Sequence, residues 1–186
     1  MTEEPQQAAS NNASEAGNST LSDAERKQQQ DLLRANSLQE KNPPLVRNIY
    51  TADPSAHVFD GKIYIYPSHD IESEASTNDD GDQFAMRDYH VLSLDEETAI
   101  ATDHGIALSV DDIPWAEKQL WAPDAAYKNG TYYFYFPARD YEGIFRIGVA
   151  TSTSPTGPFK AQDQYIKGTY SIDPAVFEDS DGTHYM

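Results

Sequence analysis

Two stretches, ADPSAHVFDGKIYIYPSHD (52–70) and APDAAYKNGTYYFYFPARD (122–140), decide the fold. Aligned from their ends, Pro67 matches Pro137 and Asp70 matches Asp140, each pair 70 residues apart. Each stretch runs from an acid through small residues and a glycine turn into an aromatic strand, and then to a proline. IDPAVFEDSDGTHYM (172–186) begins a third copy. Its Asp173-Pro174 repeats Asp53-Pro54 at an offset of 120, and Gly182 and Tyr185 repeat Gly61 and Tyr64 at 121, one residue longer in the turn.

The strands inside these copies alternate with period two. KIYIYPS (62–68), YHVLSL (89–94), TYYFYFPA (131–138) and FRIGVATS (145–152) are rich in Tyr, Phe, Val, Ile and Thr, the residues that suit a pleated, half-buried surface. No long helical periodicity follows residue 40, so the body is expected to be all-β. Repeats of this length, each holding several strands, suggest the blades of a β-propeller. The innermost strand of each blade starts near the central axis, so an acid at each start would point into one shared funnel. A single Asp-Pro is ordinarily a turn or strand entry. Three acid-bearing copies in register point instead to a site.

Composition narrows the partners. The 186 residues hold 13 basic and 31 acidic side chains, for a formal charge of −18. Seven acids and four bases fall in the first 42 residues, which leaves −15 for the remainder. Such a field repels phosphate backbones and anionic membrane surfaces but is indifferent to a neutral sugar. With no cysteine, disulfides, thiolate catalysis and Cys-ligated zinc are excluded. No apolar run is long enough to span a membrane. MTEEPQQAAS (1–10) has neither the basic nor the apolar region of a secretory signal, which favours the cytoplasm over secretion. The sequons at Asn12, Asn18 and Asn129 would matter only in a secreted chain.

Residues 1–42 are expected to form a separate tail. Residues 1–20 are Gln-, Asn-, Ser- and Ala-rich, too polar to bury a core, and are expected to be disordered. A helix over 22–38 is suggested by the Ser22/Glu25 capping-box pattern and a narrow stripe of Leu32, Leu33 and Leu38, and Pro43 and Pro44 would end it. Residues 43–186 then hold about two blades and the start of a third.

As a set, TADPSAHVFDGKIYIYPSHD, LWAPDAAYKNGTYYFYFPARD, IGVATSTSPTGPF and SIDPAVFEDSDGTHYM resemble glycoside hydrolase family 43 over residues 45–186. These are five-bladed propellers that cleave arabinose- and xylose-containing polysaccharides, and the first copy is most similar to the β-xylosidase and α-L-arabinofuranosidase branch. The resemblance implies inverting hydrolysis by three acids. Asp53 matches the general base, and Asp173 matches the acid that tunes and orients the proton donor. The donor itself is a glutamate in a later blade, and no glutamate here stands in that context. The sequence ends about one strand into the third blade, so the chain is expected to be truncated and impaired alone. The resemblance also implies a possible structural calcium in the propeller channel and a pentose-containing oligosaccharide as substrate.

Other residues carry weaker signals. Trp121 in LWAPD could stack on a sugar or fill a blade junction. Asp124 could line the funnel or cap a turn, and Arg87 in MRDYHVLS could reach the substrate. Trp115 reads as core and His57 as packing. The acidic loop ESEASTNDDGD (72–82) fails the EF-hand spacing, since Gly81 as the turn glycine puts Ser76 at position one and Arg87 at position twelve. It reads as a solvated loop, and no metal ligand is assigned. EDSDG (178–182) reads as a hairpin turn. There is no phosphate-binding glycine loop, G-x-S-x-G elbow or H-E-x-x-H. Two rival readings remain: a carbohydrate-binding propeller fragment without catalysis, and a pseudoenzyme.

Overall fold

The computed structural model describes residues 44–186, together with Ala24, Lys27 and Gln28, which are helical. The disorder expected for 1–20 and the remainder of the helix expected over 22–38 fall outside the described residues. The chain divides into two units, Met1–Pro44 and Leu45–Met186. The second is built of strands, and among the described residues no helix is long and apolar enough to cross a membrane.

The first sheet takes β1 (Tyr50–Phe59), β2 (Lys62–Asp70), β3 (Asp88–Leu94) and β4 (Ala101–Ser109) in sequence order, every neighbour antiparallel. After a short 3-10 turn (Val110–Asp112), β5 (Ala116–Lys118) and β6 (Asp124–Lys128) both pair with β7 (Thr131–Asp140). β8 (Phe145–Ser152) and β9 (Lys160–Ala161) complete that second sheet. β10 (Phe177–Glu178) and β11 (His184–Tyr185) open a third as a hairpin. The EDSDG turn lies between them, closed by Gly182 N–H donating to the Asp179 carbonyl at 2.9 Å.

The core lies between the first two sheets, where the alternating aromatics of both meet. Tyr66, Tyr89 and Val91 come from the first sheet and Leu120, Phe134 and Phe136 from the second or its lead-in, all fully buried. Tyr89 stands edge-on to Phe134 at 4.9 Å, and Tyr66 tilts against Phe134 at 5.8 Å. Aromatic pairs of this geometry add about 0.5–1.5 kcal/mol beyond area burial. Their hydroxyls are not left dry: Tyr66 Oη donates to the Pro155 carbonyl at 2.8 Å and Tyr89 Oη to the Trp121 carbonyl at 2.6 Å. The second bond fixes the backbone just before β6, beside the candidate site.

Trp115 is core, stacked 5.9 Å from Phe136 at an interplanar angle of 8°. Gly148 on β8 makes room for that stack. A Cβ there would stand 2.5 Å from both the Phe136 and Trp115 rings. Gly148→Ala is therefore expected to destabilise the protein by about 1–3 kcal/mol, the usual cost of overpacking. Urea unfolding of the two proteins side by side measures it, and an unchanged midpoint would refute the close packing.

Candidate active site

A cavity of about 490 Å³ gathers residues from all three repeats, among them Asp53, Asp70, Trp121, Ala122 and Asp173. Asp53 reaches it because the β1–β2 ladder breaks there. Ala52 pairs with Ser68 and Ser55 with Tyr66, so one extra residue sits on β1. A bulge of this kind re-aims a side chain out of the alternating pattern. Asp53 takes φ +46° within it, and Asp173, in the same Asp-Pro dipeptide, takes φ +58°. Left-handed backbone is uncommon outside glycine, and a proline that follows disfavours helical backbone further. Strain of about 1–3 kcal/mol per residue persists where the surroundings impose it, most often at functional sites. Two repeats thus spend the same strain to present a carboxylate to the same space.

Trp121 lies on the wall of this cavity with its ring held on several sides. Its Nε1 donates to the Phe84 carbonyl at 2.9 Å, and its ring packs 4.5 Å from that of Phe145. Gly81 closes on the ring edge so tightly that a Cβ would come within 2.8 Å of the indole. Gly81 belongs to the acidic loop, which is therefore more than a solvated connection. Asn78, Asp79 and Gly81 line the cavity. The loop is tied down by Lys118 Nζ donating to Asp82 at 2.9 Å, Arg139 Nη2 to the Asp80 carbonyl at 2.8 Å and Gln119 Nε2 to the Gly81 carbonyl at 2.8 Å. The Asn78 amide, and after it the Lys118 and Arg139 cations, hold the Asp82 carboxyl below the usual aspartate range.

Two of the sequence candidates stand elsewhere. Asp124 is not on the cavity wall; it is buried at the junction of the three sheets. Its carboxylate meets His57 Nε2 at 2.5 Å and accepts from Val176 N–H at 2.6 Å and Ala125 N–H at 2.8 Å. The reason is local. Here proline precedes the acid instead of following it, and Asp124 is the first residue of β6 in unbroken register with Tyr135. Without a bulge its side chain keeps to the sheet face that meets β1. His57, read as packing, is thus the polar end of this junction, stacked on Phe59 at 5.6 Å. Arg87 is also away from the cavity, with Nη2 donating to Asp111 at 2.6 Å on an exposed surface.

The repeat partner of Asp70 has a different task. Asp140 accepts from Ile144 N–H, Glu142 N–H and Arg146 Nε and fixes the β7–β8 turn. Asp70 and the loop residues Asn78 and Asp79 were missed as wall residues because only the tertiary fold brings them to Asp53. The calcium implied by the resemblance would need gathered oxygen donors. Among the described residues, no set of three acidic or histidine ligand atoms gathers on this wall.

Comparison with known proteins bears on the whole arrangement. The model of glycosyl hydrolases family 43 matches residues 41–186. A xylosidase/arabinosidase of Humicola insolens is 66% identical over 145 residues, covering 77% of this chain and 44% of its own length. One of Bacteroides ovatus is 56% identical over 143 residues, covering 76% and 44%. A β-xylosidase/α-arabinofuranosidase from a compost metagenome, solved with xylotriose in a calcium-free form, superposes with a TM-score of 0.74 at 67% identity, covering 76% of this chain and 43% of that one. The chain thus spans less than half the length of these relatives, and its sheets are successive blades of their propeller. The strand pattern, the superposition and the family match agree: the chain belongs to glycosyl hydrolase family 43.

Proposed function

We propose that Leu45–Met186 contributes the general base and its acidic partner to a site that hydrolyses β-xylosides or α-L-arabinofuranosides with inversion. The observation that carries this is the pair Asp53 and Asp173, both raised on strained Asp-Pro backbone at one cavity. The names of the relatives and the xylotriose in one of them support a pentose oligosaccharide as the substrate.

In an inverting reaction, Asp53 as the carboxylate takes a proton from water while the water oxygen attacks the anomeric carbon. A carboxylic acid on the far side of the bond protonates the departing oxygen. The two groups stand about 6.5–9.5 Å apart so that the water fits between sugar and base. Asp173 acts on the acid: a nearby negative charge disfavours ionisation of a second carboxyl and so keeps its proton on. Trp121, with its ring orientation locked, offers a flat apolar face to the C–H groups of a pentose.

Titration with xylotriose, followed on the indole N–H resonances of the chain's two tryptophans, tests the assignment of substrate. Trp121 is expected to move. Trp115, packed between Phe136 and Tyr165 in the core, is expected to stay. No movement of Trp121, or an equal response to maltotriose, would overturn the pentoside reading.

A further inference from the structure

We propose that His69, Asp88 and His90 form a site for a divalent transition-metal ion on the first sheet, separate from the Asp53 cavity. Among the described residues, these three are the one group of acidic and histidine side chains whose ligand atoms all lie within 4.8 Å of one another. The sheet register assembles them. Ser68 pairs with Tyr89, which sets His69 on β2 beside Asp88 on β3. His90 follows Asp88 by two residues and so shares its face. Tyr89, between them, points the other way into the core.

The geometry suits a metal in two respects. First, the donors already converge on one point. His69 Nδ1 lies 2.6 Å and His90 Nε2 3.7 Å from the same Asp88 oxygen, with the rings 4.6 Å apart. Ligands to a single ion at about 2.0–2.2 Å stand at comparable separations. All three side chains are at most one-fifth exposed, which shields the site while leaving an approach.

Second, the outer partner is in place. The other nitrogen of His90, Nδ1, lies 2.8 Å from Asp103 Oδ1. Asp103 also accepts from Gly105 N–H at 2.8 Å and Asn48 Nδ2 at 3.2 Å. Placed against that nitrogen and already accepting from two other donors, Asp103 is set to accept the Nδ1 proton of His90, which leaves the Nε2 lone pair free toward Asp88. Carboxylate–histidine–metal relays fix metal-binding imidazoles in this way.

The donor set selects the ion. Two imidazoles and one carboxylate suit zinc, cobalt, nickel or copper, whereas calcium and magnesium take oxygen ligands. Binding would replace the proton held between His69 and Asp88 and tie the end of β2 to β3.

The test is titration of the chelator-treated full chain with zinc, followed on the imidazole nitrogens of its five histidines by NMR. His69 and His90 are expected to shift together at one equivalent while His57, His104 and His184 do not. Cobalt in place of zinc should give visible absorption that His69→Gln and His90→Gln each abolish and His184→Gln keeps. Asp103→Asn should weaken binding about 10–100-fold, as loss of an outer-shell partner does. The zinc titration of the unmodified chain needs no variant to fold. No shift at His69 and His90, or cobalt absorption indifferent to both substitutions, would overturn the proposal.

Discussion

Asp53→Asn is expected to lower hydrolysis of dinitrophenyl β-xyloside by about 10²–10⁴-fold, the usual worth of a positioned general base. Dinitrophenolate departs without a proton, so this substrate isolates the step proposed for Asp53. Asparagine is nearly the same size and tolerates left-handed backbone about as well as aspartate. The bulge at φ +46° should therefore survive the change, and xylotriose affinity should hold. Asp173→Asn should alter the rate little with this leaving group, because no protonated partner needs tuning. A chain that binds xylotriose but hydrolyses the xyloside no faster than Asp53→Asn would be a sugar-binding module, the rival reading of the same cavity.

Asp124→Ala is expected to cost about 2–4 kcal/mol of stability, since it leaves the Val176 amide and His57 facing a gap. The same carboxylate gives a pH signature. Burial raises its pKa, but the bonds from His57, Val176 and Ala125 outweigh that and bring it below the ordinary value near 3.8. A group depressed on folding contributes stability that is present above its unfolded value and lost as pH falls through the folded one. Asp103 and Asp140 are depressed in the same sense. The protein should thus lose stability below about pH 4. Asp124→Asn should start lower and fall less steeply. Denaturant midpoints measured across that range, with parallel curves for the two proteins, would refute the assignment.

Much of the fold was legible because the strands carry their period openly. FRIGVATS is β8 residue for residue, and the runs at 62–68, 89–94 and 131–138 lie inside β2, β3 and β7. β4 was not legible: ATDHGIALS mixes a polar first half with an apolar end. Its polar half carries Asp103, the partner of His90. At the candidate site the repeat was informative where the dipeptide was the same and misleading where it was not. Asp53 and Asp173 share Asp-Pro and share a cavity, whereas Pro-Asp turned Asp124 into a junction between sheets. The wall supplied by the acidic loop could not be read, because Gly81 meets Trp121 only through the tertiary fold. The spacing of Asp88 and His90 on one strand was a usable signal for the second site. The register that adds His69 was not.

The most direct test of Asp53 as a base that activates water is the configuration of the first sugar released. Dinitrophenyl β-xyloside is hydrolysed in the NMR tube and the anomeric protons of xylose are followed before mutarotation mixes them. Attack by water from the Asp53 side gives α-xylose first. β-Xylose first, or a rate no higher than that of Asp53→Asn, would contradict the role assigned to Asp53.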